Sequence, residues 1–155
     1  MFLSESVFTT VVEHAPLVSL DLCLVCQGDI LLGNRANEPL KGEWFTPGGR
    51  IIKNESWQNA LERIALSELG LSLDDSCVFN LMGVWDHFYP NSMFDEQVST
   101  HYVNLPHVAK FESKRNILGD AQHSQFEWFD LEMIAKNRVF HKYVRAYACY
   151  LTDKG

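Results

Sequence analysis

The sequence is short of positive charge. It has 13 Lys and Arg residues against 20 Asp and Glu residues, so its formal net charge is −7 at neutral pH. An acidic chain is repelled by nucleic-acid phosphates and by anionic lipid head groups, so this balance predicts no nucleic-acid partner and no membrane partner. A small polyanion can still bind where arginines converge with a metal ion.

Long apolar runs and a leader sequence are also missing. No stretch reaches the ~18 apolar residues of a membrane span, and the N-terminus lacks the basic start and apolar run of a signal peptide. Cys23 and Cys26 form a C-x-x-C pair inside the apolar run VSLDLCLVC. No second pair exists to complete a zinc site, so we interpret them as packed thiols. These features predict a cytoplasmic enzyme or binding domain.

The chain is expected to form one domain, residues 1–155, of the α/β (α+β) class with a mixed sheet and packed helices. The segments PLVSLDLCLVC and ILLGNR predict two strands around a Gly turn. Ser56 is a suitable N-cap for a helix from about Trp57 to Leu69, which Gly70 would end. Further strands are predicted in CVFNLMGVWDHFY, STHYVNLPHVAKF and QFEWFD, and LEMIAKNRVFHKYVRAYACYL predicts one closing helix.

The first of these helices carries an acid in its apolar face. At ~100° per residue, Glu68 falls in the middle of the face formed by Trp57, Ala60, Leu61, Ile64 and Ala65. A desolvated carboxylate is costly unless it is protonated, paired or bound to a metal. Glu68 is therefore a candidate metal ligand. The alternative is that the apolar face ends one turn earlier and Glu68 reaches solvent.

Two neighbouring features favour the metal. The turn PGG before Arg50 can point backbone carbonyls inward, and Mg²⁺ takes carbonyl, carboxylate and phosphate oxygens as ligands. Arg35, Arg50 and Arg63 surround the segment, and Arg suits bidentate phosphate binding. The residues therefore indicate a site for a metal and a ligand that carries phosphate.

The stretch from Gly49 to Leu71 resembles the Nudix box. That pattern is Gly, five residues, Glu, seven residues, Arg-Glu, an aliphatic residue, any residue, Glu-Glu, any residue, Gly and an aliphatic residue. The matching positions are Gly49, Glu55, Arg63, Glu68, Gly70 and Leu71. Ile64 and Ser67 stand where the pattern has glutamates.

A longer match places the chain close to one branch of this superfamily. The stretches PLVSLD, LLGNR, WFTPGGR, ERIALSELGL, GVWDHFY, STHYV and AQHSQFEWF resemble the GDP-mannose mannosyl hydrolases, a branch that lacks the same two acids. The resemblance implies a Nudix-type α/β/α sandwich, a homodimer and one Mg²⁺ per active site. The implied reaction is water attack on the anomeric carbon of GDP-mannose or GDP-glucose, which releases GDP and inverts the sugar.

The two missing acids agree with that chemistry. Attack on phosphorus is helped by a carboxylate cluster that holds several cations, and Ile64 and Ser67 would shrink such a cluster to Glu68. A nucleoside diphosphate that leaves from carbon needs no proton donor. Two alternatives stay open: a conventional Nudix diphosphatase that cleaves a P–O bond of a nucleotide sugar or nucleoside triphosphate, and a non-catalytic nucleotide-sugar-binding protein.

The resemblance also implies three metal ligands and a general base, at the positions of this sequence that match the branch's motifs. The metal would be held by the backbone carbonyl of Gly48, the carboxylate of Glu68 and the amide oxygen of Gln122. His123 would be the general base that activates water. The segment GDAQHSQF is interpreted as a loop, so that the adjacent Gln122 and His123 can both face the site.

The substrate contacts are implied in the same way. The diphosphate would be contacted or neutralised by Arg35, Arg50, Arg63 and Tyr102. Asp21 and His87 would lie near the sugar, and Glu55 would hold Arg63 or the loop. Asp21 lies mid-strand between apolar neighbours, which independently indicates a functional or paired acid. A purely structural role stays open for His87 and for Tyr102.

Overall fold

The structure, a computed structural model, describes residues 3–115, 117 and 123–154 of the chain. The helices of this part are α1 (Glu5–His14), α2 (Trp57–Leu69), α3 (Leu131–Lys136) and α4 (Lys142–Lys154). Its strands are β1 (Leu17–Cys26), β2 (Asp29–Arg35), β3 (Trp44–Phe45), β4 (Gly48–Arg50), β5 (Asn80–Leu81), β6 (Trp85–Tyr89), β7 (Thr100–Phe111) and β8 (His123–Asp130). None of these described helices is long and apolar enough to span a membrane.

The strands form a mixed sheet in the order β3-β2-β1-β7-β5, with β4 paired to β1, β6 to β7 and β8 to β2. The two longest partners, β1 and β7, run parallel from Leu17 against Tyr102 to Cys26 against Phe111. The other pairings are antiparallel. Helix α2 packs on one face of the sheet, and α3 and α4 pack on the other. The predicted mixed sheet between helical layers is confirmed.

The apolar run of β1 is buried on both faces of the sheet. Successive strand residues point to opposite faces, so Leu20, Leu22 and Leu24 pack against α2. Asp21 and Cys23 point the other way, toward α4. Cys23 and Cys26 are free and fully buried thiols, as predicted. Because the side chains of β1 alternate between the two faces, the carboxylate of Asp21 lies in an otherwise apolar layer.

Helix α2 has the predicted bounds. The Ser56 hydroxyl accepts from the Asn59 amide at 3.1 Å, and Gly70 closes the helix with a φ of 66°, which glycine adopts without a steric penalty. The prediction that Trp57 belongs to the buried face is wrong, because its side chain is 43% exposed. Trp57 lies in the first turn, where its ring rests against the ring of His107 at the rim of the core.

Both ends of the chain differ from expectation. Helix α1 was not predicted; the Ser4 side chain caps it by accepting from the Val7 amide at 3.3 Å. The predicted single closing helix is two helices, because the chain leaves helical geometry at Asn137. The Asn137 side chain accepts from the Val139 amide at 3.0 Å. Such a local bond competes with helical hydrogen bonding.

Strand β8 extends further than expected. It pairs antiparallel with β2, from Asp29 against Asp130 to Arg35 against His123, with an irregularity between Gly33 and Arg35. His123 is therefore the first residue of a strand, and its predicted place in a loop is wrong. Its partner β2 continues to Arg35, so backbone pairing can extend β8 to His123. Gln122 lies outside the described residues.

Candidate active site

A cavity of about 80 Å³ lies beside β1 and β4 and gathers residues that are far apart in sequence. Six of the predicted site residues line it: Asp21, Arg35, Gly48, Arg50, His87 and Tyr102. Strand pairing brings them together, because Asp21 is opposite Gly48 and His87 is opposite Tyr102. The structure thus gathers most of the proposed substrate contacts in one place.

Gly48 makes a close approach that only glycine permits. A Cβ atom on Gly48 would lie 2.3 Å from the Leu20 carbonyl oxygen and 2.7 Å from Asp21 Oδ1. Both distances are shorter than van der Waals contact. The backbone of β4 can therefore lie directly beside the Asp21 carboxylate.

Asp21 is held by a buried hydrogen-bond network. The Tyr147 hydroxyl of α4 donates to Asp21 Oδ2 at 2.5 Å, and the Asn104 amide donates to the same oxygen at 3.1 Å. The Asn104 amide also donates to the Tyr147 hydroxyl oxygen. The Ser19 hydroxyl donates to Asn104 Oδ1 at 3.0 Å. A network with each member partnered fixes the carboxylate in one orientation.

The environment of Asp21 also sets its charge. Burial raises the pKa of Asp21 to about 6, because the apolar surroundings disfavour the charged form. The hydrogen bonds from Tyr147 and Asn104 and the positive charge of Arg35 oppose this rise in the pKa. Asp21 is therefore a carboxylate at pH 7 and becomes protonated below about pH 6.

His87 is a neutral partner in the same cavity. It is 2% exposed, and its ring stacks on Tyr143 with centroids 3.9 Å apart. Its Nε2 lies 3.4 Å from the Tyr147 hydroxyl oxygen. Burial lowers the pKa of His87 to about 4, so the imidazole is uncharged at neutral pH. His87 can therefore hydrogen bond to a ligand without adding positive charge.

Arg63 joins helix α2 to strand β4. Its guanidinium donates to both carboxylate oxygens of Glu55, at 2.7 and 3.0 Å, and to the Arg50 carbonyl oxygen at 2.9 Å. Glu55 also accepts from the Ile52 amide at 3.1 Å. The Arg63 guanidinium lowers the pKa of Glu55. The structure confirms that Glu55 holds Arg63. Arg63 lines a neighbouring cavity, where its role toward a diphosphate stays a prediction.

The two substituted box positions have opposite environments. Ile64 is 1% exposed and packs in the core beside Gly49. Ser67 is exposed, and Glu68 is half-buried. Among the described residues, no group of three or more His, Cys, Asp and Glu side chains is placed to hold a metal. The Gly48 carbonyl and the Glu68 carboxylate are hard oxygen donors, which fit Mg²⁺.

Tyr147 and Asn104 were not predicted as site residues. Asn104 is a polar residue within the apolar strand segment YVNLPHV, and the same signal had singled out Asp21. Tyr147 lies on the apolar face of α4 with Val144 and Ala148, and its spacing indicates burial alone. Only the packing of α4 on β1 shows that its hydroxyl meets Asp21.

A family model described as the NUDIX domain matches residues 18–148 of the chain. The chain belongs to the Nudix hydrolase family. Hydrolases of this family generally use divalent metal ions such as Mg²⁺. This Nudix protein is also similar to the low-salt glycan biosynthesis protein Agl8 of Haloferax volcanii. The two are 38% identical over 137 residues, which cover 88% of this chain and 83% of the relative.

Solved Nudix structures share the fold at lower sequence identity. The MutT protein of Methanosarcina mazei superposes with a TM-score of 0.71 at 17% identity, covering 91% of this chain and 97% of that chain. A MutT Nudix hydrolase of Burkholderia pseudomallei gives a TM-score of 0.70 at 24% identity, covering 89% and 99%. These likenesses establish the architecture alone.

Proposed function

We propose that this Nudix hydrolase is a GDP-mannose mannosyl hydrolase. It would use Mg²⁺ to hydrolyse GDP-mannose or GDP-glucose to GDP and the free sugar, by water attack at the anomeric carbon with inversion. The observation that carries this proposal is the placement of the Asp21 carboxylate in one cavity with the guanidinium groups of Arg35 and Arg50. Such a site can stabilise opposite charges at the two ends of one breaking bond.

The relative and the box support the same reaction. The name of the 38% identical relative refers to glycan biosynthesis, in which nucleotide sugars serve as glycosyl donors. At the two positions of α2 where the box pattern has further glutamates, Ile64 is buried in the core and Ser67 carries no charge. Loss of these two acids disfavours the several-metal arrangement suited to attack on phosphorus.

Charge development in the substrate matches the cavity. As the glycosidic C–O bond breaks, the sugar gains oxocarbenium character and the diphosphate gains negative charge. Arg35 and Arg50 would bind the departing diphosphate, with Tyr102 beside them. Asp21 would face the sugar and favour its positive charge, and neutral His87 would hydrogen bond to the sugar without opposing that charge.

The base and the metal ligands complete the proposal. The backbone of His123 pairs with that of Arg35, which lines the cavity, so His123 begins its strand next to the site and is the proposed base. Mg²⁺, held when bound by Gly48, Glu68 and Gln122, would neutralise charge on the leaving diphosphate. The single domain, the homodimer and the cytoplasmic location stay predictions.

Hydrolysis in ¹⁸O-labelled water tests which bond breaks. We expect mass spectrometry to find the label in the free sugar and unlabelled GDP, because water attacks carbon. Proton NMR early in the reaction should show the anomer opposite to that of the substrate. Label in a phosphate, with GMP or labelled GDP as product, would instead indicate a conventional P–O cleaving Nudix enzyme. Nucleotide-sugar binding without turnover would indicate a binding protein.

The variant His123→Gln should lower kcat about 10²- to 10⁴-fold, as expected when a general base is lost. Calorimetric titration with GDP and Mg²⁺ should give a Kd close to that of the wild type, since the proposed diphosphate contacts are untouched. Steady-state assays of GDP release measure the first effect. Wild-type turnover in this variant would eliminate His123 as the base.

A further inference from the structure

A second cavity, about 510 Å³ in volume, adjoins the proposed diphosphate site. Arg35, Arg50 and Tyr102 line both cavities, so a ligand whose diphosphate lies among them can extend from one cavity into the other. The volume is typical of small-molecule sites. If the sugar lies beside Asp21, the nucleoside end of the same substrate has this second cavity available.

Aromatic side chains form one wall of the second cavity. Phe8 of α1 and Phe94 meet edge to face, with ring centroids 5.8 Å apart. Phe94 is 43% exposed and the neighbouring Met93 is 46% exposed, although both are large and apolar. The Arg50 guanidinium lies over the Phe8 ring, 5.3 Å from its centroid. Aromatic rings and guanidinium planes are the surfaces on which a flat base stacks.

A carboxylate lies on another wall of this cavity. Glu38 is half-buried there, and its Oε2 accepts from the Asn91 amide at 3.0 Å. Within the described part of the chain, Glu38 Oε1 has no hydrogen-bond partner. The segment that carries Glu38 is fixed, because the Arg35 side chain donates to the Pro39 carbonyl at 2.9 Å and the Gly42 amide donates to the Arg35 carbonyl at 2.8 Å.

The hydrogen-bonding capacity of a carboxylate distinguishes between purines. An ionised carboxylate is acceptor-only. Guanine presents two adjacent donors on its Watson–Crick edge, the N1–H and the 2-amino group, whereas adenine presents an acceptor at N1. Hypoxanthine keeps the N1–H and lacks the amino group. The wall therefore suits guanine best, hypoxanthine next and adenine least.

We propose that this second cavity is the nucleobase subsite of the enzyme. The base lies against Phe8 and Phe94, and Glu38 reads guanine by accepting from its N1–H and 2-amino group. This inference rests on the proposed function in taking the ligand to be a nucleoside diphosphate sugar. It adds Glu38 as a residue that selects the nucleotide.

Calorimetric titration with GDP, IDP and ADP in the presence of Mg²⁺ tests Glu38. We expect the wild type to prefer GDP over IDP by about 10-fold, one charge-assisted hydrogen bond, and to bind ADP more weakly still. In Glu38→Gln the Asn91 donor holds the amide oxygen, so the amide nitrogen faces the cavity. The GDP-to-IDP ratio should then approach unity, and the GDP-to-ADP ratio should fall about 10-fold or more.

Two further variants distinguish a loss of nucleobase selectivity from a general loss of nucleotide binding. Phe8→Leu keeps apolar volume but removes the ring, so it should weaken GDP, IDP and ADP alike, about 10-fold each, without changing their ratios. Glu96→Gln changes an exposed glutamate of the segment that carries Phe94, and should keep the wild-type ratios. Circular dichroism confirms that each variant is folded.

The outcomes distinguish this inference from the proposed function. An unchanged GDP-to-IDP ratio in Glu38→Gln, or equal binding of all three nucleotides by the wild type, would overturn the base-reading role and leave C–O hydrolysis standing. Failure of the wild type to bind any of the three would overturn both. Cleavage at phosphorus in labelled water would overturn the proposed reaction and leave the nucleobase subsite intact.

Discussion

Asp21→Asn is expected to lower kcat about 100-fold or more, while the KM for the GDP-sugar changes little. The substitution removes the negative charge that would face the positively charged sugar in the transition state. The amide oxygen can still accept from Tyr147 and Asn104 in place of Oδ2, so the network survives. Steady-state kinetics above pH 7 provide the measurement. A kcat within a few-fold of wild type would remove Asp21 from the chemistry.

The pH dependence of kcat/KM tests the role of Asp21 independently. Its pKa of about 6 predicts that kcat/KM falls as pH drops through 6, where the carboxylate becomes protonated. Tyr147→Phe removes a hydrogen bond that lowers this pKa, so the acid limb should move to higher pH. Protonation of His123 also predicts an acid limb. A limb that does not move in Tyr147→Phe would therefore exclude Asp21 as its origin.

Protein stability should also depend on the ionisation of Asp21. The free energy of unfolding should decrease as pH rises, whereas kcat/KM should increase. The folded-state pKa of Asp21 is about 6, above the ordinary value of 3.8, so the folded state binds more protons between these pH values. The contribution of Asp21 to the free energy of unfolding therefore decreases by about 3 kcal/mol as pH rises from 4 past 6. Urea titrations should show this decrease in the wild type relative to Asp21→Asn. Parallel pH dependences would contradict it.

Ile64→Glu should destabilise the protein by about 3–5 kcal/mol, although it restores an acid of the Nudix box. Ile64 is 1% exposed, and it packs among core side chains and against the backbone at Gly49. The substitution both removes that packing and places a carboxylate in an apolar layer. Urea unfolding in EDTA measures the effect, since no divalent cation can then pair with the new acid.

Ser67→Glu is the matched control on the same helix. Ser67 is exposed, so its replacement by glutamate should change the free energy of unfolding by no more than about 0.5 kcal/mol. Equal stability losses in the two variants would contradict the difference in burial. The expected contrast means that the two lost acids are not equivalent, because one position has become part of the core and the other has only lost its charge.

Much of this fold follows from local pattern. The β1 and β2 strands, helix α2 and its caps were predictable because burial and capping leave clear traces at fixed spacings. Asp21 was predicted as a functional or paired acid because it lies between apolar neighbours in a strand. Arg35 and Arg50 were predicted from their places around the Gly49–Leu71 stretch, and the resemblance supplied His87 and Tyr102 as site candidates. The structure places all four around one cavity.

The remaining features have no clear trace in the hydrophobic pattern of the sequence. Tyr147 reaches Asp21 only because α4 crosses β1, 126 positions away in sequence. The exposure of Trp57 reflects its place in the first turn of α2, where its ring contacts the ring of His107. The break at Asn137 depends on one side-chain bond that helical periodicity does not reveal. The first two of these features are decided by tertiary packing, whereas the break at Asn137 is a local effect of side-chain hydrogen bonding.

The alternation along β1 places two parts of the candidate active site on opposite faces of the sheet. Residues of β1 that face α2 support the helix bearing Glu68, while Asp21 faces the layer that holds Tyr147 and His87. In the proposed site, a substitution at an exposed position of α2 such as Ser67 would change the number of carboxylates near Glu68 and leave the hydrogen bonds of Asp21 on the other face unchanged. Under the proposed function, the two faces of one strand thus separate the carboxylate that would hold the cation from the carboxylate that would face the sugar.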